Sequence, residues 1–123
     1  MEKVIDDLLE KVRLLNQNLK FDEVINLLDD KLLDEYNDSN LYIEKANALY
    51  KTKKFEEFEE NVTKAFSLDP KNPKAINCFG IILGKKGDRK GSIENYLKAI
   101  KQILRWKTVI LIKIKATEWI NLL

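Results

Sequence analysis

Residues 39–73 read SNLYIEKANALYKTKKFEEFEENVTKAFSLDPKNP, and their organisation decides the fold. Leu41, Ala46, Leu49 and Tyr50 fall on one side of a helix, with Glu44, Lys45 and Lys51 between them. A second helical stripe follows in Phe55, Phe58, Val62, Ala65 and Phe66. The turn Asp69-Pro-Lys-Asn-Pro73 then stops that helix and starts another. Pro70 has no N–H to donate, Asn72 can cap the following helix, and Pro73 suits a first helical position, where no N–H is needed. The segment is therefore a pair of amphipathic helices joined by short turns.

Working outward, the same pair recurs. Phe21 opens Phe-Asp-Glu-Val-Ile, and 34 residues later Phe55 opens Phe-Glu-Glu-Phe-Glu. Ala46 and Gly80 share that interval, as do Ala65 and Ala99, and Lys45-Ala-Asn-Ala-Leu-Tyr-Lys is echoed by Phe79-Gly-Ile-Ile-Leu-Gly-Lys. A period of 34 holds two helices of about 14 residues each with their turns. The units fall at about residues 5–38, 39–72 and 73–106. Ser39 or Asn40 is expected to cap the middle unit, and Gly87-Asp88 to turn the last. Val12, Val24 and Lys31 stand one period before Ala46, Phe58 and Ala65, and the bulk of Val12 and Lys31 should set the first unit's helices further apart. A generic antiparallel bundle would show similar stripes, but not small residues at a fixed interval.

The chain resembles the tetratricopeptide repeat family over about 100 of its 123 residues. Ala46, Ala65, Gly80, Ser92 and Ala99 match the small positions of that family. Phe55, Val62, Phe66, Tyr96 and Ile100 match the large ones, and Pro70 the closing proline. Phe58 departs from the family's alanine and Arg89 from its aromatic residue. The resemblance implies an all-α solenoid of about three antiparallel helix–turn–helix repeats, with a C-terminal tail or capping helix. It implies a non-enzymatic scaffold whose first helices line a concave groove for an extended peptide or a partner's helix. The candidate partner-binding residues are Arg13, Asn16, Asn47, Tyr50, Lys74 and Asn77. Asparagine amides can donate to and accept from a peptide backbone. Members that clamp the C-terminal carboxylate of chaperones use lysines, asparagines and an arginine at places that here hold Leu9, Arg13, Glu44, Lys74 and Cys78. Only Lys74 agrees, so that ligand is not expected.

Charge is unevenly spread. Residues 1–44 carry 5 Lys/Arg against 12 Asp/Glu, a net of −7, and residues 45–123 carry 17 against 8, a net of +9. Such a field can steer a partner, favour head-to-tail association or attract nucleic acid. RNA binding is the alternative function, through Lys85, Lys86, Arg89, Lys90, Arg105 and Lys107 near Tyr96 and Trp106. With no histidine and one cysteine, zinc sites and catalytic triads have no residues to build them. No cofactor, metal or catalytic residue is expected. Cys78 reads as a small packed residue in a reducing compartment, which points to the cytoplasm. The charged N-terminus has no signal-peptide pattern, and Val109 to Ile114 is too short and too charged to cross a bilayer.

From Ile103 the pattern changes to Ile-Leu-Arg-Trp-Lys-Thr-Val-Ile-Leu-Ile-Lys-Ile-Lys, where a polar outer face would normally finish a solenoid. Ile112-Lys-Ile-Lys alternates as a strand does. Three readings are open for residues 107–123. One is a capping helix that buries Val109, Ile110, Ile114 and Trp119 against the last repeat. The second is an exposed patch for a partner, a membrane surface or self-association. The third is a slip of reading frame: an A/T-rich back-translation of Gln102 to Lys113, shifted by one base, yields Asn-Pro-Lys-Met-Glu-Asn-Cys-Tyr-Phe. That string parallels Asn72-Pro-Lys-Ala-Ile-Asn-Cys-Phe79, as in the front of a longer scaffold.

Overall fold

The computed structural model describes residues 2–122. Seven helices follow in chain order: α1 (Glu2–Gln17), α2 (Phe21–Leu27), α3 (Asp30–Tyr36), α4 (Ser39–Lys51), α5 (Phe55–Leu68), α6 (Pro73–Lys85) and α7 (Arg89–Leu122). No strand occurs among the described residues, and the fold is an all-α helical repeat.

The 34-residue interval is written in the backbone. Leu19, Lys53 and Gly87 alone have positive φ at the first turn of each pair, at 61°, 63° and 88°. At each turn the next residue's N–H closes a six-residue loop: Lys20 to the Leu15 carbonyl at 2.9 Å, Lys54 to Leu49 at 2.9 Å, and Asp88 to Leu83 at 2.9 Å. This left-handed helix stop satisfies carbonyls that the helix end leaves free. Only Gly87 adopts it without a Cβ penalty.

The pairs are antiparallel. In the middle unit Tyr50 meets Phe55 and Phe58 at one end, while at the other the Ser39 hydroxyl donates to the Ala65 carbonyl at 2.8 Å. In the last, Gly80 and Gly84 lie against α7. A Cβ on Gly80 would stand 2.8 Å from Cε1 of Tyr96, so the close approach requires glycine there.

The start of the middle unit corrects one expectation. Asp38, not Ser39 or Asn40, caps α4, accepting from the Leu41 N–H at 3.2 Å. Ser39 and Asn40 instead receive the Asn72 amide, at 3.0 Å each, while Asn72 accepts the Lys74 N–H at 3.1 Å and so caps α6. One buried asparagine thus fixes the start of α6 to the start of α4. Pro73 occupies the first turn of α6 as its missing N–H allows.

The first unit also departs from the other two in its second helix. Its second helix breaks at Leu28–Asp29 into α2 and α3, with Asp29 accepting from the Leu32 N–H at 2.9 Å. Val12, Val24 and Leu28 are fully buried, while Lys31 is turned to solvent. α3 is tied to α4 by Tyr42, whose hydroxyl donates to Asp34 at 3.3 Å, and by Lys45, 3.7 Å from Asp30. Burial, with the Asp34 carboxylate beside it, raises the Tyr42 pKa.

The tail reading needs two corrections. Residues 107–122 are not strand-like, because α7 continues through them without interruption. A lone segment satisfies its backbone only as a helix, and isoleucine costs a helix little. Nor does the segment fold back as a cap: Val109, Ile110, Ile114 and Trp119 are 44–70% exposed. After Gly91 the chain holds no glycine or proline to make a turn, and Leu104 stands where the middle unit has Pro70. α7 therefore runs past the start of α6, where Ile103 and Trp106 flank Pro73, and projects beyond it.

Candidate partner-binding face

α4 packs on both α1 and α6, so the first helices of the three units lie side by side and share a face. Its centre is Glu44, only 5% exposed. Arg13 Nε donates to Glu44 Oε1 at 3.3 Å, and Asn16 Nδ2 donates to Oε2 at 2.9 Å and to the Glu44 carbonyl at 3.2 Å. Lys74 Nζ approaches Oε1 at 4.0 Å from the other side. Arg13 and Lys74 keep 44% and 52% of their side chains exposed. One carboxylate thus gathers groups from all three units. Breaking such a buried pair is costly, because the charge left behind has no partner.

Beside this cluster, α4, α6 and α7 enclose a cleft of about 450 Å³. Its walls carry Asn47, Lys74 and Asn77, and Ile43, Cys78, Ile100 and Ile103 supply apolar surface. Asn47 and Asn77 are exposed. Few polar groups over apolar surface is the usual make-up of a recognition site. Next to it, Lys71, Pro73, Gln102, Ile103 and Trp106 line a second hollow of about 300 Å³.

Five of the six candidate residues therefore fall into two neighbouring groups: Arg13, Asn16 and Lys74 at Glu44, and Asn47, Lys74 and Asn77 on the cleft. Tyr50 joins neither. Its ring packs at 5.7 Å from Phe55 and 5.1 Å from Phe58, and the Lys85 ammonium lies 3.9 Å from the Phe55 centroid. It serves the seam between α4, α5 and α6. The sequence places Glu44 between the apolar stripe residues and at a groove position of the resembled family, but does not show that it is buried. Its three partners come from other units, 28 to 31 residues away, beyond the reach of local pattern.

Cys78 lies on the floor of the cleft. Burial pushes its thiol up to about 11, with Glu44 adding to the rise and Lys74 opposing it. The thiolate is the reactive form, so this sulfur is a packing atom at neutral pH.

The fold and this face define a class: a stack of helical pairs that presents a shared surface of its first helices. Residues 39–72 match the tetratricopeptide repeat family model, and this match to the middle unit supports a tetratricopeptide repeat protein. Repeats of this family generally mediate protein–protein interaction and are typically non-enzymatic. A search of curated proteins gives no match.

Proposed function

We propose that the chain is a protein-interaction scaffold that holds a peptide or helix of a partner protein against the face shared by α1, α4 and α6. The observation that carries this reading is the cleft itself, with Asn47, Lys74 and Asn77 above apolar Ile43, Ile100 and Ile103. An extended peptide can place side chains on that floor while the two amides meet its backbone. No catalytic role and a cytoplasmic location belong to the same proposal. No helix among the described residues is long and apolar enough to cross a membrane. Residues 1–106 form the working repeat domain in this reading, and residues 107–123 are dispensable to it.

Selection from a displayed peptide library tests it. Enriched peptides should bind the 1–106 fragment as they bind the full chain, and lose at least about ten-fold affinity when Asn47 and Asn77 are both replaced by alanine. Peptides indifferent to those changes, or no enrichment, would count against the reading.

RNA binding draws less support. Of its six basic residues, Lys86 pairs with Glu59 at 2.6 Å and Lys85 covers the Phe55 ring. Tyr96 is packed over Gly80, and Arg105 lies sixteen residues along α7 from Arg89, about 24 Å. Retention on RNA at low salt, lost steeply as salt rises, would restore it.

A further inference from the structure

Glu44 is an odd residue for its place. It lies between Ile43 and Lys45 on a helix whose other buried positions are mostly apolar, and removing a carboxylate from water is costly. What surrounds it is a set of anion-binding groups: a guanidinium and an amide N–H in hydrogen-bond reach from α1, and an ammonium at 4.0 Å from α6. Arg13 and Lys74 are half exposed, so the site opens on the shared face. An arriving carboxylate would find these donors only by displacing Glu44.

We propose that Arg13, Asn16 and Lys74 form an anion site, that Glu44 is its built-in occupant, and that the face is thereby closed to ligands carrying a carboxylate at this point. The partner-binding reading above supplies the consequence. A ligand recognised here is neutral where it passes Glu44, and is read through its backbone by Asn47 and Asn77 rather than through an acidic side chain or chain end. Were the contacts only a tie between units, the half-exposed Arg13 and Lys74 would turn to solvent once Glu44 is removed and leave no site for a foreign carboxylate.

Glu44→Ala separates the two, with acetate as the probe. The variant should melt several degrees below the unsubstituted chain. Acetate should then restore its Tm by on the order of 3 °C relative to chloride at equal ionic strength. The unsubstituted chain should show no such difference, and neither should Glu44→Ala combined with Arg13→Gln. Equal response to both salts, or acetate stabilisation of the unsubstituted chain as well, overturns the proposal.

Should Glu44→Ala fail to fold, Glu44→Gln keeps the volume and leaves both cations unpaired. Acetate should then produce saturating amide NMR shifts at Arg13 and Lys74 in that variant and none in the unsubstituted chain. Identical titrations of the two overturn the proposal. Because acetate is the probe, these outcomes do not depend on whether any peptide uses the face, which the library selection decides separately.

Discussion

α5 and α7 are second helices of consecutive units, in register at 34 residues, and they have opposite fates. On α5, Phe58, Val62 and Ala65 are at most 2% exposed. Its far side is covered by α6: Phe79 stacks on Phe66 at 5.3 Å, and Lys86 reaches Glu59. One period later Ile93 and Ile100 occupy the places of Glu59 and Phe66, and they are 58% and 51% exposed. α5 lies between two first helices, α4 and α6, while α7 packs chiefly on α6. What shelters a second helix is the unit that follows it, as expected when each repeat buries its apolar surface only by stacking.

The largest expected break in that comparison comes from truncating a sheltered side chain on α5 and an open one on α7. Phe58→Ala should lower unfolding free energy by about 3–5 kcal/mol, as for a buried aromatic, whereas Ile100→Ala should cost below about 1 kcal/mol. Urea unfolding followed by circular dichroism measures both. Near-equal losses would mean that the face of α7 is covered in solution.

Next in size is the effect of pH at Cys78, on the α6 helix that both second helices share. The folded thiol holds its proton up to about 11, against an ordinary 9.0, so the unfolded chain ionises first as pH rises. Stability from this group is complete below pH 9 and falls between pH 9 and about 11, by up to roughly 3 kcal/mol. Cys78→Ala should flatten that part of the pH profile.

Gly80→Ala sharpens the contrast within the last unit. The added methyl meets the Tyr96 ring at 2.8 Å, which outweighs the helix-propensity gain and leaves a net loss of about 1 kcal/mol. At Gly84 the nearest atom is the Ser92 hydroxyl at 3.2 Å, a group that can turn aside. Gly84→Ala should be neutral or stabilising in the same assay. The smallest effect is a gain. Lys53 holds a left-handed conformation that Gly87 holds without strain, so Lys53→Gly should add about 0.5–1 kcal/mol.

Much of this architecture is legible in the sequence. The two helices of residues 39–72, the Asn72 cap and the Gly87 turn follow from local chemistry, and the period of 34 ordered them. The left-handed turns at Leu19 and Lys53 were not legible, since neither residue type calls for positive φ. Tertiary packing imposed them at the same interval. The break at Leu28–Asp29 carried a signal in Asp29 as a cap, but the stripe of apolar residues runs through it. The tail misled for a physical reason: β-branched alternation predicts a strand only where a partner strand exists. Five of the six candidate site residues reached the shared face because first-helix spacing places them there. The carboxylate that gathers three of them depended on contacts between units.

The most direct test of the account is amide NMR mapping of a library-selected peptide on the full chain. Shifts centred on Ile43, Asn47 and Asn77, with residues 107–122 unchanged, are the predicted result. Shifts confined to the exposed length of α7, with the α4–α6 cleft silent, would contradict the claim that this protein works through the face of its first helices.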